Sequence, residues 1–233
     1  MNAGRGPCCT LLVSALAVAA LVAPAPARAQ AVDATLGPYA LQRRFEYHGD
    51  VYDQAGTAFG AGGTVSWRRL SLGAEGWSGA LTGHGGLPNG DVRVRTTAAS
   101  LHLALTSAIR VGLRVETRRF ASEAGVAIWE LKGWDILFHP ELGLPGLQGI
   151  AEVAILSSST VREGPKLDVA LQTTMGITYA AGFAPLLFRL AYRFERYDLS
   201  VSGASAERLE QFRGVVAEAG VRLATPRARA ARR

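Results

Sequence analysis

The chain has 233 residues, of which 25 are Lys or Arg and 19 are Asp or Glu, giving a formal charge of +6. That excess lies at the two ends. Arg5 and Arg28 precede residue 30, and Arg227, Arg229, Arg232 and Arg233 close the chain, so the body between them holds 19 basic residues against 19 acidic ones. A neutral body excludes the concentrated basic face that nucleic-acid binding needs. Both cysteines, Cys8 and Cys9, lie so near the N-terminus that no disulfide or thiol chemistry is expected of the body.

Residues 1–29 read as a secretory signal peptide. Arg5 supplies the positive start, an apolar run extends from Leu11 to Val22, and Ala27-Arg28-Ala29 forms the small-x-small cleavage pattern, so export and a mature N-terminus at Gln30 are expected. Pro24 and Pro26 end the run before the roughly 18 apolar residues that a spanning helix requires. The cysteines precede the run instead of following it, so no lipid anchor is expected. Charges interrupt every later apolar stretch, and any membrane crossing would be made by strands.

Taken in chain order, the rest shows a period of two. Ten strands are predicted, at 39–48, 59–67, 70–81, 92–105, 109–120, 126–138, 147–156, 167–179, 186–197 and 212–223. Turns at Arg68-Arg69 and Thr106-Ser107, a proline-bounded connection 139–146 and a short turn at 181–185 alternate with loops rich in turn formers, such as 83–91 with Gly85, Gly86, Pro88, Asn89 and Gly90. In the clearest strand Leu186, Phe188, Leu190, Tyr192 and Phe194 share one face, while Leu187, Arg189, Ala191, Arg193 and Glu195 share the other. Ile109, Val111, Leu113 and Val115 likewise oppose Arg110, Arg114, Glu116 and Arg118. Many strands with one greasy and one charged face imply an up-and-down antiparallel transmembrane β-barrel of ten strands, eight being the alternative, apolar outside and polar within. The predicted lengths exceed the globular mode of about five or six residues, which favours a membrane barrel over a soluble one.

The charged faces place fourteen residues in the lumen: Arg44, Glu46, Arg93, Arg95, Arg110, Arg114, Glu116, Glu152, Asp168, Arg189, Arg193, Glu195, Glu218 and Arg222. Two strands break phase. Val92 and Val94 disagree in parity with Leu101 to Leu105, as do Trp129 and Leu131 with Trp134 to Phe138, so a bulge near 98–100 and a slip at Gly133 are expected. Arg43 shares parity with Leu41 and Phe45, which makes the first strand the weakest and leaves open a plug or leader there. Tyr39, Trp67, Phe138, Tyr179 and Phe183 on the short-turn side, with Tyr52, Phe59, Phe120, Tyr197 and Phe212 on the other, suggest two interfacial belts.

On this alternating pattern the chain resembles the small outer-membrane β-barrel proteins of Gram-negative-type bacteria. The likeness covers nearly the whole mature chain and implies an outer-membrane location, contact with membrane lipid and handling by the barrel-assembly machinery. The last strand keeps part of the expected ending in Glu218, Gly220 and Leu223, but Ala224-Thr225-Pro226 and a basic tail stand where a terminal aromatic is usual.

No catalytic motif is apparent. His48, His84, His102 and His139 each stand alone, without metal-ligand spacing, and neither a metal nor a cofactor is expected. His102 lacks a serine two residues on, and His48-Gly49-Asp50, with Asp53, is the one loop acid-base candidate. Gly56, Gly60, Gly62 and Gly63 have no following helix and so do not read as a phosphate loop. The expected function is therefore structural or interactive, with a charge-filled lumen and long loops available to an external ligand. The alternatives are a narrow channel for small solutes, anions among them, lined by Arg110, Arg114, Arg189 and Arg193, a lipid-modifying envelope enzyme, and a soluble periplasmic barrel that binds an apolar ligand with its faces inverted.

Overall fold

The computed structural model describes residues 31–47, 50–84, 91–122, 125–162, 166–200 and 207–224. Among these residues ten antiparallel strands follow in order: β1 Ala31–Tyr47, β2 Asp50–Trp67, β3 Leu70–His84, β4 Val92–Ala104, β5 Ile109–Ser122, β6 Gly125–Phe138, β7 Leu147–Arg162, β8 Lys166–Ala180, β9 Leu186–Ser200 and β10 Glu207–Ala224. Each pairs with its neighbour in sequence, and β1 pairs with β10, so the sheet closes. The eight-strand alternative and a plug role for the first strand are thereby overturned, since β1 pairs along its length with β2 and with most of β10. The leader 1–29, the tail 226–233 and His48 lie outside the described residues.

Every strand but β4 is longer than the sequence pattern suggests, and the connections left at the expected long-loop end, 48–49, 85–91, 123–124, 163–165 and 201–206, are on the whole no longer than 105–108, 139–146 and 181–185 at the other. The 50–58 segment, expected as loop, is strand: its small residues pack against β3, where a Cβ on Gly56 would meet the Ala80 carbonyl. At a barrel tilt near 40° an 18-residue strand stands about 40 Å tall. The barrel wall is therefore taller than the roughly 25 Å apolar band that a bilayer asks of it.

This extra height explains the phase breaks. β4 pairs without interruption from Val92 to Leu103 with β3 and from Arg93 to Ala104 with β5, so no bulge exists at 98–100. Nor does β6 slip against β5 at Gly133. Instead the lining of the barrel changes character along its axis. On the short-turn half apolar side chains face out and charges face in. On the other half Leu41, Leu81, Val94, Trp129, Leu131, Phe120, Leu199 and Phe212 are buried inside, while Arg93, Arg119, Lys132 and Arg196 are exposed outside. A strand that leaves the apolar band reverses its binary pattern without altering its alternation. Register irregularities do occur where no phase argument located them, between Glu130 and Leu131 against β7 and between Leu167 and Val169 against β8.

The outer face of the short-turn half is a continuous apolar surface. Leu72, Leu113, Val115, Trp134, Ile136, Ile155, Met175, Phe188, Leu190 and Leu223 are all exposed, Trp134 at 68% and Met175 at 62%. Inverted faces, as a soluble ligand-binding barrel would need, are not what this sheet has. Trp67, Phe138, Tyr179 and Phe183 are exposed near the short turns. The second expected belt is corrected: Phe120, Tyr197 and Phe212 are buried in the interior, and only Phe59 of that group is an exposed aromatic of the outer wall. Tyr39, assigned to the first belt, is also internal, edge-on to Trp77.

Candidate functional site: a lumen filled at two levels

Every inward side chain descends from the alternation, so the lumen can be built strand by strand. β5 contributes Arg114, Glu116 and Arg118 at successive inward positions, and β9 contributes Arg189, Arg193, Glu195 and Tyr197. Arg114 ion-pairs with Glu75 of β3, with Glu116 at 3.2 Å and with Glu152 of β7 at 3.3 Å. Glu75 also takes Arg193 at 2.8 Å, so one carboxylate links two walls. Arg118 reaches Glu116 at 3.0 Å and Glu195 at 2.6 Å. Gln172 donates to Glu116 at 3.1 Å and to the Tyr197 hydroxyl at 3.0 Å, while that hydroxyl donates to Glu195 at 2.9 Å. Charges withdrawn from water persist only when paired and hydrogen-bonded in this manner.

Above this lattice lies an aromatic lid. The Arg118 guanidinium sits 4.8 Å from the Phe212 ring centre, 5.0 Å from Tyr197 and 5.4 Å from Trp77. Arg43 is held in the same layer, ion-paired with Glu210, donating to Gln54 at 3.0 Å and lying 4.7 and 4.9 Å from the Phe45 and Phe120 rings. The odd parity of Arg43 thus has a physical cause: it points inward with Leu41 and Phe45, capped by a carboxylate and aromatic faces.

Below the lattice, nearer the short turns, Arg222 grips Asp33 through two hydrogen bonds of 2.8 and 2.7 Å, and Arg189 meets Glu218 at 3.5 Å. His102 Nε2 lies 2.8 Å from Asp135 Oδ2, both buried. Gly112 stands between them in register, opposite His102 on one side and Asp135 on the other. A Cβ there would come within 2.7 Å of Asp135 Oδ1 and press on the His102 ring, so the pair needs a glycine at this rung. Arg110 donates to Ser71 at 3.3 Å. At the turn after β6, His139 is held neutral, its pKa lowered to about 4 by burial and then by the positive fields of Arg110, Arg189 and Arg222.

Of the fourteen residues assigned to the lumen from sequence, Arg110, Arg114, Glu116, Glu152, Arg189, Arg193, Glu195, Glu218 and Arg222 lie inside. Arg44, Glu46, Arg93 and Arg95 do not: they alternate with buried inward neighbours and point outward at the end where the pattern is reversed. Asp168 is also outside, because the irregularity after Leu167 turns it to the surface and Leu167 to the interior. Asp33, Arg43, Glu75, His102, Asp135 and Glu210 join the interior unforeseen. Glu75 shares its face with the buried Gly73 and Trp77, in a strand whose small residues give the alternation little contrast. Asp53, the third member of the loop acid-base candidate, is an exposed residue of the β2 outer face.

A cavity of about 30 Å³ is lined by Glu75, Trp77, Arg193 and Glu218 among others, room for a single water. Among the described residues no three His, Cys, Asp or Glu side chains gather as a metal site.

No family model matches the chain, and no curated protein does. Solved structures do. The translocator domain of the autotransporter NalP from Neisseria meningitidis aligns at 9% identity over 91% of this chain and 98% of that one, with a TM-score of 0.40. Ail, the attachment invasion locus protein of Yersinia pestis, aligns at 10% identity over 84% and 99%, with a TM-score of 0.37. A deletion mutant of TodX, a monoaromatic hydrocarbon channel, aligns at 15% identity over 78% of this chain and 54% of its own length, with a TM-score of 0.37. The chain thus spans about half the length of that channel. Likenesses this distant assign no activity, and the fold rests on the chain's own strand pairing.

Proposed function

We propose that the protein is an outer-membrane barrel of structural or interaction type, anchored in lipid by its short-turn half and sealed against solutes by its own side chains. The observation that carries the reading is the coincidence of an exposed apolar band outside with a filled lumen inside. Leucine, phenylalanine and methionine side chains cover the outer wall, and leaving so much apolar surface in water is disfavoured by about 25 cal/mol for each Å². Inside, Arg118, Glu195, Tyr197 and Phe212 are 0–1% exposed, and a barrel of about this strand number has little interior left once its side chains are placed. A passage for small anions would need arginines facing an open path, whereas Arg114, Arg118 and Arg193 are each committed to carboxylates. An envelope enzyme is supported by no open reaction site among the described residues.

The reading is tested in two steps. Protein from washed outer membranes should stay with the membrane and shift in gel mobility only after boiling in SDS. Purified and inserted in a planar bilayer, it should leave the conductance flat. Release in soluble form would overturn the membrane assignment, and discrete conductance steps would overturn the sealed lumen and restore the channel.

A further inference from the structure

The reversed half of the barrel carries a charge imbalance on one wall. Along β5 the outward positions run Ile109, Val111, Leu113, Val115, Thr117 and Arg119. Ten residues of tilted strand raise Arg119 about 25 Å above Ile109, which is the height of the apolar band and hence the level of the headgroups at this rim. Arg95 of β4 stands directly opposite Arg119 in the ladder, and no carboxylate bridges the two among the described residues. Arg93 is the next outward residue on β4, and Lys132 of β6 lies opposite Val115. Two acids share this wall among the described residues, Glu130 opposite Thr117 and the exposed Asp91 two positions before Arg93.

Elsewhere around the same rim several outward cations face polar or acidic neighbours among the described residues. Arg196 pairs with Asp198 at 3.0 Å, Arg213 donates to Gln42 at 2.9 Å, and Arg44 faces Asp53 across the β1–β2 ladder. Like charges placed directly opposite in a sheet destabilise it. Among the described residues the wall of β4–β6 thus carries four outward cations, Arg93, Arg95, Arg119 and Lys132, against two acids, spread along its upper part, where an anion would relieve their repulsion. Multiple guanidinium groups also supply the paired donors that match phosphate oxygens.

We propose that Arg93, Arg95, Arg119 and Lys132 form a binding site for the phosphate groups of an anionic lipid headgroup in the leaflet that meets this rim. The site rests on the membrane reading above and names its lipid class. The cations hold the headgroup phosphate, and the acyl chains run down the wall below over Leu113, Val115 and Trp134, which are exposed on the same face.

The full chain reconstituted in phosphatidylcholine nanodiscs with a minor share of a bisphosphorylated glycolipid tests this. Insertion, seen as the boiling-dependent mobility shift, is scored first, and failure there sinks the membrane reading and this site together. In inserted protein the phosphate lipid should be enriched around the barrel relative to empty discs, and added salt should reduce the enrichment. Arg95→Gln/Arg119→Gln should weaken binding roughly twenty-five-fold, about fivefold for each cation removed from an anionic surface. Arg196→Gln, on the opposite wall, should leave it unchanged. Equal enrichment in the double variant and the wild type overturns the site. Full displacement by inorganic phosphate at equal concentration overturns the lipid as its occupant.

Discussion

Arg118 shows most sharply what individual residues contribute. It has no solvent exposure, is bracketed by Glu116 and Glu195, and lies over three aromatic rings. Arg118→Leu would take from the buried Glu195 its closest cation and leave Glu116 with Arg114 alone, a loss of about 3–5 kcal/mol. Arg118→Leu/Glu195→Leu removes both members and should recover much of that, because a buried pair replaced by apolar side chains is often neutral. Urea midpoints of the micelle-embedded barrel, followed by intrinsic fluorescence, check the ordering; a single variant as stable as the double one contradicts it. His139 offers a second reading at this scale. Its pKa is lowered to about 4, so between about 6.5 and 4 the unfolded chain binds a proton that the folded one refuses, and stability falls as pH drops through that window. The His139 ring signals in an NMR titration should stay those of a neutral imidazole until near pH 4, and Arg110→Gln should move the midpoint upward. Titration near 6.5 in the native barrel would contradict the burial of this ring.

At the scale of the strand, position along the axis decides what a substitution costs. Leu113 and Arg119 share the outer face of β5, six residues apart. Leu113→Arg puts a guanidinium in the apolar band at a cost of about 2–4 kcal/mol near its midplane, whereas the same charge near the interface costs about 0–1 kcal/mol. Arg119→Leu should accordingly be close to neutral for stability, and matched refolding titrations into lipid vesicles distinguish the two. Equal costs would mean that the apolar band does not end where the charges begin. The same contrast explains what the sequence could and could not reveal. The alternation of β5, β9 and β10 was legible because each keeps apolar residues on one face through most of its length. Val92 and Val94 misled because a period of two identifies two faces and says nothing about which is inside. Their inward apolar side chains at the reversed end looked like a bulge. The irregularity at Leu167 was invisible for the opposite reason: Leu167, Val169 and Leu171 suit either face, so the local pattern carries no trace of the shift. Glu75 hid in a strand of small residues, Gly73, Ala74, Gly76 and Gly79, whose alternation has almost no hydrophobic contrast.

For the molecule as a whole, the sealed lumen proposed above makes the two levels of filling independent barriers in series. The charged lattice is crowded by paired groups drawn from β3, β5, β7, β8 and β9, and the aromatic lid is a region of low dielectric built from Phe120, Trp129, Tyr197 and Phe212. An ion must part the first and enter the second, where an unpaired charge is disfavoured by several kcal/mol. Removing the lid alone, with Phe120→Ala/Phe212→Ala, leaves the lattice in place, and this variant should stay electrically silent. Clearing the lattice alone, with Glu75→Ala/Arg114→Ala/Arg193→Ala, removes two cations and an anion together and leaves the lid closed, so it too should be silent. Only the combined variant should produce discrete conductance steps in a planar bilayer, provided its boiling-dependent gel shift shows that the barrel still forms. Steps from either partial variant would mean that one level suffices to seal the barrel and that the other serves stability alone. Because the barriers stand in series, such a result would also identify the sealing level as the one whose removal opened the pore.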